Sequence, residues 1–471
     1  MKINSLLKLI KCNERYNYTD DLDVIGICTD SKKLTNENLF VCIKGVKFDS
    51  HNLAQNLQDK IDVFIVERYL PKVSKCQIIV SNTRNILLQL LFNFNKIDKS
   101  KIKIIGVTGT NGKTTTTHYI KYLLEKLSVK AALLGTNGGY IEDKKFESNL
   151  TTPEPFELIN FIKEMIKNDV WILIMEVSAH AISQGRVNGL NFDVGIITNI
   201  TQDHLDDFSS MYEYALTKYS FISKCKNKIV YLKDKYSLDY CSHNRDIITV
   251  TDNQALSAKI YFSVKNNKFN IVDHICNVNT SFYTDKNTRF NYVNLMLSIC
   301  SLTSLGFNAN QIVNYCKTLP KVAGRYNLIN FGNKKICVDY AHTPDAIDKV
   351  LSELKKQNND VIAVIGASGY RDSLKRKKMG QALSKYCSYV VLTADNPRYE
   401  KVEDICDDIS SGIKCNYAFV KDRELAIRHA VKVANENSVI AILGKGAEET
   451  QDICAKDVLY SDIEVINRLI Y

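Results

Sequence analysis

Residues Lys103–Thr117 have the sequence KIIGVTGTNGKTTTT, and this stretch predicts the fold of the middle of the chain. Its beginning, Lys103–Val107, is short, apolar and rich in β-branched side chains, which predicts a buried strand. A turn of glycine, threonine and asparagine follows, and Thr115–Leu127 then has the character of a helix. A strand, a glycine-rich loop and a helix in this order are typical of α/β proteins that bind phosphate at the helix N-terminus.

The loop in this stretch carries the side chains that a nucleoside triphosphate site needs. Lys113 is expected to reach the terminal phosphates, and the hydroxyl of Thr114 is expected to coordinate Mg²⁺. The strict spacing G-x4-G-K-[ST] is not met, because Val107 occupies its first position and Gly106 lies one residue too early. The alternative is a glycine turn that binds nothing, and the lysine-threonine pair between a strand and a helix argues against it.

A candidate metal ligand follows a second apolar segment, Trp171–Met175. Glu176 comes directly after it, at the expected carboxyl end of a strand. An acidic residue in that position holds Mg²⁺ beside the phosphate loop in nucleotide-hydrolysing folds. A carboxylate at a strand end is more often only solvated, so it is the loop that favours a metal role here.

Further apolar segments alternate with segments of helical period, which predicts α/β architecture. These segments suit a parallel sheet covered by helices on both faces, with ligands bound at the carboxyl ends of the strands. Besides the two segments above, the predicted strands are Val194–Thr198, Lys335–Val338, Val361–Ile365, Tyr389–Thr393 and Val439–Leu443.

Two polar or proline-containing segments predict domain boundaries. Asn93–Lys101 is polar and precedes the glycine-rich loop, and Leu319–Gly324 contains a proline and precedes a new strand-rich block. The prediction is therefore three domains: 1–96, 97–322 and 323–471.

The composition excludes several classes of protein. Of 471 residues, 45% are hydrophobic and 24% charged, which is ordinary for a soluble globular protein, and no apolar run is long enough for a membrane helix. The net charge of +10 is spread among acidic residues, so we expect neither a nucleic acid nor a membrane partner. Fourteen cysteines without a CxxC pair predict free thiols in a cytoplasmic protein, and no zinc site.

Five motifs in order then resemble one family. They are GVTGTNGKTT, MEVSAHAISQGRV, FDVGIITNITQDHLD, VDYAHTPDA and DNPRYE. From about residue 20 to 460 the chain resembles the Mur ligases of bacterial cell-wall synthesis, and most of all those that add meso-diaminopimelate to UDP-N-acetylmuramoyl-L-alanyl-D-glutamate. The resemblance implies an N-terminal UDP-sugar-binding α/β domain, a central P-loop-type ATPase with a mainly parallel sheet, and a C-terminal Rossmann-like domain for the amino acid.

The resemblance also implies a reaction. ATP phosphorylates a carboxylate of the substrate, and an amine displaces phosphate from the acyl phosphate. Thr114, Glu176 and His204 are then Mg²⁺ ligands. The catalytic residues implied are Lys113, Lys218, His204 and Glu176, and Lys218 is carbamylated to N6-carboxylysine. The ATP-binding residues implied are Gly109, Thr110, Asn111, Gly112, Lys113, Thr114, Thr115, Asn294, Arg325, Asp339 and His342. By itself His204 reads as an ordinary capping or core histidine, and Lys218 as a surface lysine.

The UDP-sugar peptide is assigned to residues of the first two predicted domains. Arg186 suits the free α-carboxylate of D-glutamate, because a guanidinium binds a carboxylate bidentately. Lys32, Ser50 and Leu150 depart from the residues usual in the family at their positions. The complete set implied is Ser31, Val46, Lys47, Phe48, Thr151, Thr152, Ser178, Gln184 and Arg186.

The amino-acid site is assigned to the C-terminal domain. Diaminopimelate ends in a carboxylate and an ammonium, so Arg398 favours it over lysine, and Glu448 suits the ammonium. Ala447 and Leu374 replace a usual histidine and glycine. The residues implied are Arg371, Asp395, Asn396, Pro397, Arg398, Gly444 and Glu448.

Three alternatives stay open at this stage. A sister ligase would add lysine, another would extend folate with glutamate, and a third possibility is a ligase-like structural partner without activity. Arg398 argues against lysine, and the set containing Thr151, Ser178 and Arg186 argues against folate. The structural role would be signalled by loss of the catalytic residues, which are all present. The expected partners are small molecules only, and the chain is expected to be a monomer.

Overall fold

The structure is a computed structural model, and the residues it describes are 1–45, 48–148, 150–275, 278–286, 288–358 and 360–470. Val46 and Lys47, two predicted UDP-sugar contacts, lie outside the described residues. The chain divides into two compact units, the first comprising 1–106 with 130–193 and the second 107–129 with 194–471. Among the described helices, none combines the length and apolar character needed to cross a membrane.

The first unit begins with a five-stranded sheet. Four of its strands run parallel, and the edge strand Glu14–Tyr16 pairs antiparallel with its neighbour. In sheet order the strands are Glu14–Tyr16, Cys76–Ile79, Val63–Val66, Leu39–Val41 and Ile27–Cys28. The accompanying helices are Ile3–Leu6, Ala54–Leu57 and Thr83–Phe94, with short 3-10 helices at Ser31–Lys33, Ser50–Leu53 and Lys99–Lys101.

A second group of strands in the first unit ends at Glu176. Ile172–Glu176 pairs parallel with Ala132–Gly135, to which Gly138–Ile141 and Lys144–Phe146 are added as antiparallel strands. Helices Pro155–Lys167 and Ala179–Ser183 flank the strand that ends at Glu176. Its residues Leu173–Met175 are buried, as expected of a strand that is apolar on both faces.

The strand Lys103–Thr108 begins in the first unit and ends in the second, immediately before the glycine-rich loop. In the second unit the helix Lys113–Lys126 follows that loop. Six further strands there are ordered Val194–Ile197, Asn227–Tyr231, Ile248–Thr251, Ile260–Lys265, Lys268–Asp273 and Val278–Tyr283, the first four parallel. Helices of this part are Met211–Ile222, Lys235–Ser242, Arg289–Ser304 and Ala309–Asn314.

The C-terminal part of the second unit is built on a six-stranded sheet. All its strands are parallel except the edge strand Asn327–Phe331. The order is Asn327–Phe331, Lys334–Asp339, Ser438–Leu443, Asp360–Ile365, Tyr389–Leu392 and Asn416–Phe419. Buried apolar clusters cover both faces. Its helices are Pro344–Gln357, Arg376–Ser384, Val402–Ser410, Arg423–Val433 and Asp462–Ile470, with a 3-10 helix at Ser373–Lys375 and a hairpin of Thr450–Ile453 and Lys456–Leu459.

The predicted α/β class with mainly parallel sheets is confirmed, and each predicted strand is present to within about a residue. The described cysteines are all free thiols, most of them buried. The domain boundaries after residues 96 and 322 stay predictions.

Candidate active site

The glycine-rich loop of the second unit is held in a conformation that only glycine fits. Gly109 and Gly112 have φ of 136° and 91°. A Cβ atom on Gly109 would lie 2.0 Å from Thr198 Oγ1, and one on Gly112 would lie 2.6 Å from Asn294 Oδ1. Asn294, predicted on the nucleotide side, therefore packs directly against the loop, where it is buried.

Two lysines meet at this loop. Lys113 Nζ donates to the carbonyl oxygens of Gly109 and Thr110, both at 2.9 Å. Lys218 Nζ reaches the Gly109 carbonyl oxygen at 3.3 Å and lies 4.4 Å from the centre of the Tyr214 ring. Lys218 is only 1% exposed. Burial and the neighbouring Lys113 hold the pKa of Lys218 well below its ordinary value.

Hydroxyls and amides fix the rest of the loop. The Thr110 hydroxyl lies 3.2 Å from that of Tyr214 and donates to the Thr201 carbonyl oxygen. Asn111 N–H donates to Asn199 Oδ1, and Asn111 Nδ2 donates to Asp345 Oδ2 at 3.1 Å. Thr115 is buried in the first turn of the following helix. The loop is therefore pre-shaped by its own unit, as a phosphate site requires.

Next to the lysines lies a cluster around Asp203. The Asp203 carboxylate is 2.9 Å from Lys375 Nζ, 3.4 Å from His204 Nε2 and 3.6 Å from His342 Nε2. Burial raises the pKa of this carboxyl, but Lys375 and the two histidines outweigh burial, so the net pKa lies well below the usual range. The predicted His204 and His342 thus share one buried anion. Its charge partner Lys375 is 172 positions away in the sequence, and no motif predicted the pair.

Arg325 contacts the predicted metal ligand Thr114. Its Nη2 donates to Thr114 Oγ1 at 2.9 Å, and its guanidinium lies 4.2 Å from the centre of the Tyr340 ring. Asp339 accepts the backbone N–H groups of Tyr326 and Ala341, both at 2.7 Å. Burial raises the pKa of Asp339, and the nearby Arg325 opposes that shift. The first of these contacts places Arg325 at the first helical turn after the loop, and Asp339 lies near Arg325.

The predicted amino-acid residues form a polar cluster at the carboxyl ends of two strands. Asn396 Nδ2 donates to Glu448 Oε2 at 3.0 Å, and Lys445 Nζ reaches the same oxygen at 2.7 Å. A Cβ atom on Gly444 would lie 2.4 Å from Asp395 Oδ2, so only glycine lets the two segments approach this closely. Lys445, which is fully buried, was not predicted from the sequence, although it lies between the predicted Gly444 and Glu448.

Two further predicted residues lie around this cluster. Pro397 packs against Gly369, where an added Cβ would lie 2.0 Å from the Pro397 carbonyl oxygen. The side chain of Arg371 turns instead towards Asp207 at 3.3 Å and Asp206 at 3.7 Å. Arg398 Nε donates to Asp452 Oδ2 at 3.2 Å, so Arg398 and Arg371 have different carboxylate partners, and the role of Arg371 at the amino acid stays a prediction.

In the first unit, Glu176 is a fully buried carboxylate. It accepts the Thr136 N–H at 2.9 Å on one oxygen and the Thr136 hydroxyl at 3.2 Å on the other. A Cβ atom on Gly135 would lie 2.2 Å from Glu176 Oε1, so only glycine fits at position 135 beside this carboxylate. The backbone N–H and the hydroxyl of Thr136 together orient the carboxylate.

Most predicted sugar-peptide residues of the first unit lie around Glu176. The Thr152 hydroxyl donates to the Glu176 carbonyl oxygen at 2.9 Å and accepts the Ser178 N–H at 2.9 Å. The Thr151 hydroxyl lies 3.1 Å from the Thr136 hydroxyl, which itself contacts Glu176. Ser178 also caps the helix Ala179–Ser183.

Arg186 continues this group. Its guanidinium donates to Gln184 Oε1 at 2.6 Å, to the Thr152 carbonyl oxygen at 3.0 Å and to Glu154 at 2.8 Å. Burial lowers the pKa of Arg186, while Glu154 opposes the shift, and an arginine remains charged. Ser31 begins a 3-10 helix capped by Asp30, and Phe48 is exposed; neither contacts this group through a described hydrogen bond.

The predicted residues thus fall into separate groups that the structure assembles from distant positions. One contains the loop with Lys113, Lys218, Asn294 and Arg325; a second contains Asp395, Asn396 and Glu448. In the first unit, Glu176 joins the group containing Arg186. The chemistry is that of a phosphate loop, a buried amine and two sites with polar groups suited to carboxylates and ammonium ions.

Comparison with known proteins identifies two conserved domain types. The profile of the Mur ligase middle domain matches residues 107–302, and that of the Mur ligase glutamate ligase domain matches residues 324–446. Together they cover the loop, the Asp203 cluster and the strand that precedes Asp395.

Full-length relatives match as well. The chain is 35% identical over 494 aligned positions to a UDP-N-acetylmuramoyl-L-alanyl-D-glutamate–2,6-diaminopimelate ligase of Clostridium botulinum, covering 100% of this chain and 99% of that one. It is 32% identical over 463 positions to ligase 1 of the same description from Clostridium acetobutylicum, covering 96% and 95%.

Solved structures agree with these relatives. A structure described as UDP-N-acetylmuramoyl-L-alanyl-D-glutamate–2,6-diaminopimelate ligase has a TM-score of 0.69 and 26% identity, covering 100% of this chain and 99% of that one. A MurF ligase from Thermotoga maritima in complex with ADP shares the fold, with a TM-score of 0.57 and 17% identity over 88% of this chain and 93% of its own.

Proposed function

The chain belongs to the Mur ligase family, and from that premise we propose that it joins meso-diaminopimelate to UDP-N-acetylmuramoyl-L-alanyl-D-glutamate at the expense of ATP. The relatives of that description cover the full chain. The observation that carries the proposal is the meeting of Lys113 and Lys218 at the carbonyl oxygen of Gly109. The positive charge of Lys113 at a phosphate loop suits a reaction that brings two anions together, and the buried Lys218 amine beside it is a site for carbamylation.

The proposed reaction has two steps, phosphoryl transfer to the dipeptide and then amide formation. A carboxylate oxygen of the dipeptide attacks the γ-phosphorus of ATP, the bond from that phosphorus to the bridging oxygen breaks, and ADP leaves. The amine of diaminopimelate then attacks the acyl carbon, phosphate leaves with the former carboxylate oxygen, and the amine loses a proton. The first step needs positive charge because carboxylate and triphosphate repel each other. Lys113 supplies that charge at the loop.

Mg²⁺ is proposed to be held by Thr114, Glu176 and His204, as the resemblance implies. Oxygen ligands and an imidazole suit the ion, and the fully buried Glu176 carboxylate has the required chemistry. When bound, Mg²⁺ neutralises charge on the phosphate oxygens. The Arg325 guanidinium, 2.9 Å from Thr114 Oγ1, would be repelled by the ion, so we infer that Arg325 turns from this hydroxyl towards phosphate when nucleotide binds.

Lys218 is proposed to be carbamylated. Only a neutral amine attacks CO₂, and the lowered pKa of Lys218 increases the neutral fraction near neutral pH. The nitrogen forms a bond to carbon, a proton is released, and the side chain changes from positive to negative. No described carboxylate lies within hydrogen-bond distance of the Lys218 ammonium. Carbamylation would turn this buried group into an anion, which suits contact with Mg²⁺ or with the groups that hold the phosphates.

The two substrates are proposed to bind at different groups of polar residues, one in the first unit and one in the C-terminal part of the second unit. In the first unit, Arg186 would bind the α-carboxylate of D-glutamate, with Thr151, Thr152, Ser178 and Gln184 around it. In the C-terminal part, Arg398 and Glu448 would bind the distal carboxylate and ammonium of diaminopimelate. The predicted domains 1–96, 97–322 and 323–471 would bind UDP-sugar, ATP and amino acid. We further propose that the protein acts as a cytoplasmic monomer on these small molecules.

The test is ADP release by the purified full chain. It is incubated with ATP, Mg²⁺, the UDP-muramoyl dipeptide and either diaminopimelate or lysine, and each component is omitted in turn. The proposal expects release only with all components and much faster release with diaminopimelate. Faster release with lysine would contradict the proposed substrate, and no release with any amino acid would contradict ligase activity.

A further inference from the structure

The hairpin Thr450–Leu459 holds the segment that contains Arg398. Arg398 N–H donates to the Asp452 carbonyl oxygen, and Cys454 N–H donates to the Arg398 carbonyl oxygen, both at 2.9 Å. The Asp452 N–H donates to Asn396 Oδ1 at 3.0 Å, and Gln451 Nε2 donates to the Asp395 carbonyl oxygen at 2.9 Å. The hairpin therefore fixes the backbone of the whole segment, including Arg398 with its positive φ of 54°.

The side chain of Asp452 adds a contact that this backbone pairing does not need. Its Oδ2 accepts from Arg398 Nε at 3.2 Å. Arg398 Nη1 donates to the Gly369 carbonyl oxygen at 3.3 Å, and no described residue accepts from Nη2. Asp452 thus contacts the guanidinium at Nε and leaves Nη2 available to a ligand.

The environment of this ion pair is that of a partly open site. The side chains of Arg398 and Asp452 are 29% and 31% exposed. A pair that is exposed to this extent contributes little to the stability of the fold, because solvent screens it. Removing its carboxylate should therefore leave the fold intact, because the backbone bonds of the hairpin remain.

We propose that Asp452 is a positioning residue that turns the guanidinium of Arg398 so that it meets a carboxylate at the distal end of the incoming amino acid. This inference rests on the proposed function. A guanidinium restrained at Nε presents its remaining N–H groups in one direction, which lowers the entropy cost of binding a planar carboxylate. The ammonium of the same substrate would lie towards Glu448, whose Oε2 is held by Lys445 and Asn396.

The position of Asp452 also allows an opposite role. Its carboxylate on Arg398 resembles the contact that a substrate carboxylate would make. If Asp452 filled the place of that carboxylate, the site would bind an amino acid that ends in an ammonium alone. The partial use of the guanidinium, with Nη2 open, favours positioning over substitution.

The test compares Asp452→Ala and Asp452→Asn with Asp457→Ala in the full chain. Asp457 faces Asp452 directly across the hairpin and is exposed, so it is a matched control. ADP release is measured against the concentrations of diaminopimelate, lysine and ATP. Asp452→Ala should raise the KM for diaminopimelate about tenfold, with kcat and the KM for ATP within about twofold. Asp452→Asn should stay closer to the unmodified chain, because its amide oxygen still accepts from Nε.

Several outcomes overturn the inference. An unchanged KM for diaminopimelate in Asp452→Ala shows that Asp452 does not position Arg398. A lower KM shows that Asp452 competes with the substrate carboxylate. An equal change in Asp457→Ala shows a general effect of the hairpin, and circular dichroism of each variant identifies a loss of fold. If the unmodified chain turns over with lysine and not with diaminopimelate, the proposed function fails, and the inference with it.

Discussion

Replacing Asp203 by asparagine should destabilise the second unit much more than replacing its neighbour Asp207. The Asp203 side chain is 6% exposed and pairs at 2.9 Å with Lys375, which is 9% exposed. In the Asp203→Asn variant, the buried ammonium keeps its charge and loses its counterion. The Asp207 side chain is 42% exposed and pairs with Arg371 at 3.3 Å, so Asp207→Asn removes a solvated contact.

The magnitudes follow from burial. Removing one partner of a buried ion pair costs about 3–5 kcal/mol, because the remaining charge is uncompensated. An asparagine oxygen still accepts a hydrogen bond from Lys375, so the lower end, about 3 kcal/mol, is expected for Asp203→Asn. The exposed pair is expected to contribute less than about 1 kcal/mol. Replacing both partners, Asp203→Asn with Lys375→Met, should recover part of the loss.

Urea unfolding followed by far-ultraviolet circular dichroism measures these free energies of unfolding. Because the net pKa of Asp203 is lowered, its ionisation stabilises the folded chain above its unfolded pKa of about 3.8 and stops doing so as the pH falls through the folded value. The difference between the unmodified chain and Asp203→Asn should therefore shrink as the pH falls below about 3.8. Equal, small losses for Asp203→Asn and Asp207→Asn would refute the reasoning.

Two further changes address the loop and the buried amine. Gly109→Ala should abolish ATP binding measured by calorimetry, since its Cβ would lie 2.0 Å from Thr198 Oγ1. The control Gly306→Ala, also at positive φ but in open space, should bind ATP normally. Normal ATP binding by Gly109→Ala would contradict the geometry of the loop. Lys218→Arg should lower kcat by about a hundredfold or more, because a guanidinium forms no carbamate. ADP release by the unmodified chain should rise with bicarbonate and with pH, since the lowered pKa of Lys218 leaves more neutral amine as protons are removed, and bicarbonate-insensitive turnover would count against carbamylation.

The strands and the phosphate loop were predictable from the sequence because their signal is local. A strand such as Asp360–Ile365 is apolar on both faces, and a glycine-rich turn before a helix leaves few other readings. Ile27–Cys28 and Lys456–Leu459 were not predicted. The first is too short for periodicity, and the second is exposed along its length.

The charge pairs of the site could not be read in the same way. Asp203 and Lys375 are 172 positions apart, and Arg398 and Asp452 are 54 apart, so only the folded chain brings them together. The resemblance named Lys218 and His204, yet the burial of Lys218 beside Gly109 and the contact of His204 with Asp203 are properties of packing. Charge partners such as Lys375 and Asp452 determine the electrostatics of a site, but they belong to no motif that the sequence would show.

The central claim is that phosphate is transferred to the carboxylate before the amide forms. It is tested most directly with a UDP-muramoyl dipeptide whose reacting carboxylate carries ¹⁸O on both oxygens. The proposed reaction predicts that each phosphate released contains one ¹⁸O atom and that the nucleotide product is ADP. Phosphate without the label, or AMP as the product, would contradict it.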